Sequence, residues 1–534
     1  MEKQCCSNKN TKPVRLMSLF DSLGPVMTGP SSSHTAGISR IGRMGRQFAD
    51  GKFDAVDIHF YGALGHTYKG HCSDAAAVAG LIGLKEDSPE LGNALNLASK
   101  QNISVRFVAE TDSDKNPNTV DMRLKNGSEI TKVVGISVGG GEILMTELDD
   151  LPLCLYGNED VLLVESSQEI DEANLQKIMG SNLLRVHSVS ANGRTLYTCF
   201  LLNPATPEQA AQAKSLTNVI RVFALDSIYD YKLRDSSPIF FSLSELLACC
   251  DSRKASIPEM AIAFEARRSG LDREAILDMS AKIWDTMVKS VETGVKGNNR
   301  LLAGFVPGND GAKVMRLVEQ GKNVSGRTMG LAVARAIATM ELNGCMGCVA
   351  AAPTAGACGV MPGALYTVAE DLGSKNEEIY DALLTGAMVG VLIAMRAPVS
   401  GALGGCQSEI GVASAMTAAS LTQLAGGSPK QVLHATAIAI KSILGLVCDP
   451  VAGPVEIPCI KRNGIGVGNA MAAADMALAG VESAIPPDEV IDALINVQKL
   501  LPKDLRGTLS GGLASTPTAR KLKEDWDKKL AAGK

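Results

Sequence analysis

The stretch CDPVAGPVEIPCIKRNG (448–464) sets the first chemical question of this 534-residue chain. Cys448 and Cys459 stand too far apart for the thiol pair of a zinc ribbon or a redox C-x-x-C motif, and Pro450, Pro454 and Pro458 stiffen the segment between and around them. No histidine lies nearby. Cys406, in GALGGCQSEIG, is a third cysteine beside glycines at an apparent loop or helix end. Three thiolates without an imidazole partner suit soft ligation, above all an iron–sulfur cluster. Three ligands on a four-iron cluster leave one iron open, a Lewis acid for a hydroxyl leaving group. Spacing alone leaves three buried free cysteines as an equal alternative.

Two polar segments carry further candidates. GPSSSHTAG (29–37) offers Ser31, Ser32, Ser33 and Thr35 beside His34, so hydroxyl and amide donors can converge on a carboxylate while an imidazole moves a proton. A polar turn ending in a helix N-cap is the plainer reading of any one of these serines. GHTYKGHCSD (65–74) holds His66, Lys69, His71 and Asp74; a histidine at such a strand-to-helix turn suits a general base, with Asp74 as tautomer-setting partner or simply an N-cap. His59, His187 and His434 sit in regular strand or helix contexts and read as structural.

NGCMGC (343–348) is a lone C-x-x-C without the second pair that a four-thiolate zinc site needs. Cys345, Cys348 and the following Cys358 are expected not to be ligands. The Pro-Thr-Ala-Gly loop after them is more suggestive, because glycine lets backbone approach a ligand closely; Thr354 and Gly356 are candidate substrate contacts.

These residues need elements to hold them. Runs such as AVDIHFYGAL (55–64), ISVRFVAE (103–110), TVDMRLK (119–125), VVGISVGGGEI (133–143) and DVLLVES (160–166) read as strands, and SDAAAVAGLIGL (73–84) as a buried helix. From about residue 246 helical spacing runs almost throughout, with Gly/Pro-rich loops between. The expectation is multidomain: a tail over 1–17, an α/β (α+β) substrate-binding-type domain over 18–150, a small α/β region over 151–205, a connector over 206–245 and an all-α domain over 246–534.

With 46 % hydrophobic and 20 % charged residues the chain can bury large cores. A formal net charge of −5 and no basic patch argue against nucleic acid or an anionic membrane as partner. MEKQCCSNKNTKPVRLM lacks the apolar core of a secretory signal, and ALLTGAMVGVLIAM (382–395) falls short of the about 20 residues that span a bilayer, so a soluble cytoplasmic protein is expected. Thirteen cysteines, an odd number over a long chain, argue against a disulfide framework. Small-residue helix surfaces admit a homodimer.

Over nearly its full length the chain resembles the bacterial iron–sulfur-dependent L-serine dehydratases. LGPVMTGPSSSHTAG, TYKGH and SVGGGEI are similar to the family's β part. AAPTAGACGVMPGAL, SGALGGCQSEIGVASAM, GLVCDPVAGPVEIPCIKRN and GGLASTPTAR are similar to its α part, so the two parts look fused. The resemblance implies that Cys406, Cys448 and Cys459 hold a [4Fe–4S] cluster with one open iron. It also implies that Ser31–Thr35 form the substrate loop and that His71 is the second family histidine. The implied reaction is α-proton abstraction from L-serine, by His71 or else His34, with loss of the β-hydroxyl to give pyruvate and ammonia. Pyridoxal phosphate is not expected, since no phosphate-cradling glycine loop pairs with a Schiff-base lysine.

The chain departs from the family in three places. No cysteine follows Cys459, whereas some relatives carry one at the extreme carboxy-terminus. Residues 150–205 occupy the place of an ACT regulatory domain without an Asp-x-Pro-Gly type loop. NGCMGC adds cysteines. The same chemistry on threonine or cysteine, a non-catalytic iron–sulfur sensor and a zinc protein are the alternatives; retention of both histidines beside the cysteine triad speaks against a sensor.

Overall fold

The computed structural model describes residues 16–110, 114–235 and 237–531. Most of the expected tail thus lies outside the described residues, while Leu16 and Met17 are buried. The amino-terminal half is mixed α/β and the remainder is mostly helical.

Strand β1 (Val26–Thr28) precedes a six-stranded sheet made of β2 (Ala55–Tyr61), β3 (Ser104–Glu110), β4 (Thr119–Asn126), β5 (Glu129–Gly139), β6 (Glu142–Leu148) and β7 (Leu151–Leu155), in the order β3-β2-β4-β5-β6-β7. Only β2 and β3 run parallel. Val56, Ile58 and Phe60 alternate with Asp57, His59 and Tyr61 along β2, and the apolar set is buried in the core. The helices Gly37–Phe48 and Ser73–Leu81 pack tightly together because a Cβ on Gly42 or Gly80 would overlap backbone of the other helix. The strand expected over 133–143 breaks into a hairpin at Gly139, Gly140 and Gly141, whose φ values of 117°, 62° and 89° suit only glycine.

A second, antiparallel sheet follows, with β8 (Asp160–Ser166), β9 (Leu183–Ala191), β10 (Arg194–Leu201) and β11 (Val219–Leu225) in the order β11-β8-β10-β9. With the helices Glu172–Met179 and Pro207–Lys214 this is a complete βαββαβ unit. β8 is buried on both faces, which is why DVLLVES reads as a continuous apolar run. The segment expected as a helical connector (206–245) therefore supplies a helix and an edge strand. VIRVFAL in β11 is half-exposed and shows no clean alternation that would announce it.

In the helical half, Asn376–Ala394 and Val412–Leu424 lie at the centre, and ALLTGAMVGVLIAM belongs to the first of these buried helices. Among the described residues no helix is long and apolar enough to cross a membrane. The halves interlock. β1 pairs antiparallel with β12 (Cys348–Ala350), Val26 opposite Ala350, and the Glu265 carboxylate accepts from Leu19 N–H at 2.9 Å.

Candidate active site

The serine–histidine loop is wound into a π-turn, Ser32–Ala36, and the other π-turn among the described residues, Gln407–Gly411, begins just after Cys406. Such turns re-aim side chains and cluster at functional places. Ser31 Oγ accepts from His34 N–H at 3.1 Å and faces Ser33 Oγ at 3.3 Å. Ser32 Oγ accepts from Ala355 N–H at 3.3 Å, which ties the loop to the Pro-Thr-Ala-Gly loop of the helical half. Thr35 Oγ1 donates to the His71 carbonyl at 2.8 Å. Asn343 Nδ2 bridges the carbonyls of Pro30 and Ala355, at 3.1 and 3.3 Å. Ser32 Oγ only accepts in these contacts, whereas Thr35 spends its proton on holding His71 in place.

His34 and His71 stack, with ring centroids 4.7 Å apart and planes 10° from parallel. Asn118 Nδ2 donates to the Ser137 carbonyl, which turns Oδ1 towards His34 Nε2 at 3.2 Å. The hydrogen-bond network thus assigns the proton to His34 Nε2 and the lone pair to Nδ1. Burial holds His34 down to about 4, with the Asn118 bond pulling the other way. Burial, and then His34 itself, holds His71 well below the ordinary imidazole range, and a hydrogen bond to the Gly453 backbone opposes this. Both rings are therefore neutral near pH 7. His71 Nδ1 is buried without a hydrogen-bond partner.

Gly453 belongs to the loop between Cys448 and Cys459, so the histidine pair of one half meets the thiol-bearing loop of the other. Pro454 packs on Gly70, where a Cβ would come within 3.7 Å of it. The loop is anchored on several sides. Cys448 N–H donates to the Leu505 carbonyl at 2.9 Å and its own carbonyl accepts from Gly507 N–H at 2.7 Å. The Glu456 carboxylate accepts from Ala303, Gly304 and Phe305 N–H at 2.8, 3.1 and 2.8 Å. Ala452 carries a φ of 58°, rare for a residue with a Cβ.

Cys406 precedes its π-turn, Cys448 sits in the anchored loop and Cys459 opens the helix Cys459–Leu478. A hydrogen bond to Cys406 and burial drive the Cys448 thiol well up; burial and then Cys406 do the same to Cys459. Arg462 Nη1 lies 3.3 Å from Cys406 Sγ and also donates to the Val447 carbonyl, while Nη2 pairs with Asp449 at 2.9 Å.

Glu409, which motif reading passed over, completes the group. Its carboxyl oxygen and the sulfurs of Cys406 and Cys448 lie within 4.8 Å of one another. Burial pushes its carboxyl up to about 7, against the pull of Thr354, the Gly401 backbone and Arg462. Glu409 and Cys459 are both half-buried. Thr354 faces the Glu409 carboxyl without closing a well-aligned hydrogen bond, and a Cβ on Gly356 would stand 3.2 Å from Oε1. Thr354 and Gly356 thus come together with the thiols, and Ser31–Thr35 with the histidines.

The donor set suits a cationic iron–sulfur core. The thiols and the Glu409 carboxyl share one nearby guanidinium, that of Arg462, so a cationic core would bring the positive charge such a donor set calls for. Cys358 lies apart, its sulfur 3.9 Å from Met340 Sδ, and Cys348 is exposed. Arg462 and Glu409 stand three residues after Cys459 and Cys406, a helical spacing that puts them on the sulfur's side and could have flagged them.

A thiol-bearing helical unit thus packs against a histidine-bearing α/β unit through the loop that holds Gly453 and Pro454. Residues 18–148 match the family model described as serine dehydratase beta chain, and residues 202–514 the one described as serine dehydratase alpha chain. The chain belongs to the serine dehydratase family, with the alpha and beta parts in one polypeptide. It is 42 % identical over 295 residues to the probable L-serine dehydratase alpha chain of Bacillus subtilis (strain 168), covering 55 % of this chain and 96 % of that one. It is 30 % identical over 514 residues to the L-serine dehydratase TdcG of Escherichia coli (strain K12), covering 93 % of this chain and 99 % of the relative. The L-serine dehydratase of Helicobacter pylori (strain ATCC 700392 / 26695) is 30 % identical over 521 residues, covering 94 % and 98 %.

Proposed function

We propose that the chain is an L-serine ammonia-lyase that forms pyruvate and ammonia at a [4Fe–4S] cluster held by Cys406, Cys448 and Cys459. The observation that carries this reading is the meeting of the paired neutral histidines with the thiol loop at Gly453. When bound, such a cluster supplies a Lewis-acidic iron that withdraws charge from a hydroxyl oxygen.

The chain's own residues supply the rest. Ser32 and Ser33 donate hydroxyl protons to the substrate carboxylate, Ser31 and Thr35 hold the loop's shape, and Thr354 and Gly356 line the opposite wall. His71 takes the α-proton at Nδ1, the buried nitrogen without a partner. His34, fixed by Asn118, stacks behind His71 and keeps its plane. His71 takes the α-proton and returns it to the departing β-hydroxide, which leaves as water; the 2-aminoacrylate that remains tautomerises to the imine and is hydrolysed to pyruvate and ammonia. In this reading the 18–150 unit presents base and hydroxyls, and the helical unit from 246 carries the thiols. All the described cysteines are free thiols, in keeping with a reducing, cytoplasmic setting.

Anaerobic purification, iron and sulfide analysis and a pyruvate or 2-oxobutyrate assay on L-serine, L-threonine and L-cysteine test the proposal. Brown protein that is active on serine and bleaches in air with loss of activity is expected. Colourless, fully active protein would overturn the cluster, and a preference for threonine or cysteine would overturn the substrate.

A further inference from the structure

Glu409 has no task in the reaction just described, and its position is costly. A carboxyl held deep beside Cys406 and Cys448 adds a further potential negative charge to a thiol site. Arg462, the nearest cation, is already engaged with Cys406, the Val447 carbonyl and Asp449. The surroundings are nevertheless shaped to admit the carboxyl. A Cβ on Gly401 would stand 2.5 Å from Glu409 Oε2 and 3.0 Å from Cys448 Sγ, and one on Gly356 would crowd Oε1. Gly401 leaves space that carboxylate and sulfur share, and Gly356 leaves space for the carboxylate. The Gly401 backbone and Thr354 lie beside the carboxyl and favour its charged form.

A carboxyl whose oxygen lies among sulfur donors, and which has no ion pair among the described residues, has the makings of a metal ligand. We propose, on the strength of the cluster reading above, that Glu409 is the resident oxygen ligand of the cluster's open iron when no substrate is bound. The substrate's hydroxyl oxygen replaces it. The exchange breaks one iron–oxygen bond and forms another, with no electron transferred. The released carboxylate stays beside Thr354 and the Gly401 backbone. The open iron is thereby kept from solvent between turnovers.

The test is electron–nuclear double resonance on anaerobically purified, dithionite-reduced holoenzyme, read without reference to activity. One sample carries glutamate labelled with 13C at the side-chain carboxyl, and a second is exchanged into H2(17)O. Without serine, a 13C coupling and no 17O coupling are expected; serine should abolish the 13C coupling. In Glu409→Gln the 13C coupling should vanish and a 17O coupling appear. A 17O coupling in substrate-free wild type, or a missing 13C coupling there, overturns the proposal even if the variant takes up no cluster. Iron and sulfide analysis separates the two readings: protein without a cluster overturns both, whereas a cluster carrying solvent oxygen overturns this one alone.

Discussion

His34 and His71, thirty-seven residues apart in sequence, stack face to face at 4.7 Å, and the Thr35 hydroxyl beside the first holds the backbone carbonyl of the second. One ring is oriented by Asn118 within its own half, and the other lies against the thiol-bearing loop at Gly453. The pair is thus a joint between the two halves.

Removing the two rings should have unequal effects. His71→Asn is expected to lower kcat by about 10²- to 10⁴-fold, the usual range for a general base, with a smaller change in KM. His34→Phe keeps a stacking surface and should lose less. Steady-state pyruvate release measures both, and a His71→Asn enzyme with near wild-type kcat would remove His71 from the base role.

The buried His34 also makes stability depend on pH. Its folded value of about 4 lies below the ordinary 6.5, so the unfolded chain binds more protons in between. The contribution is fully present above pH 6.5 and is lost as pH falls towards 4, up to roughly 3 kcal/mol. Denaturant midpoints between pH 7 and pH 4 should fall less steeply in His34→Gln than in wild type. Parallel curves would contradict the assignment.

Cys406→Ser, Cys448→Ser and Cys459→Ser should each keep helical circular dichroism and lose most of the bound iron. Arg462→Met breaks the tie to Cys406 and the largely buried pair with Asp449, a loss of about 3–5 kcal/mol for pairs of this kind. Its cluster should bleach in air several-fold faster than wild type, as followed by visible absorbance. An unchanged bleaching rate would show that the guanidinium does not steady the thiolates.

Glu456 holds three backbone N–H groups of residues 303–305 from within the thiol loop. Glu456→Gln removes the charge and one acceptor, and should cost about 2–3 kcal/mol. Limited proteolysis should then open the chain near Gly304 first. A wild-type melting temperature and cleavage pattern would show that the segment holds itself.

Much of this was legible from residue order. The alternation in AVDIHFY marks β2, while the spacing of Cys406, Cys448 and Cys459 leaves soft ligation and three buried free thiols equally open. Other features depend on partners distant in sequence. Glu409 reads as an ordinary helix carboxylate until Cys448 arrives beside it. Ser32 and Thr35 look like ligand groups, yet their first contacts are the Ala355 amide and the His71 carbonyl. β11 is an edge strand whose half-exposed residues carry no clear period. Asn118 gains its meaning only from a ring 84 positions earlier.

The short pairing of β1 with β12, Val26 opposite Ala350, bears on concentration as well as shape. Two separate polypeptides sharing such a seam would part company on dilution. A tethered seam sees an effective local concentration on the order of millimolar, whatever the amount of protein. Specific activity of the single chain should therefore be independent of enzyme concentration so far as the seam between its halves is concerned. The tether replaces a binding equilibrium with a folding step.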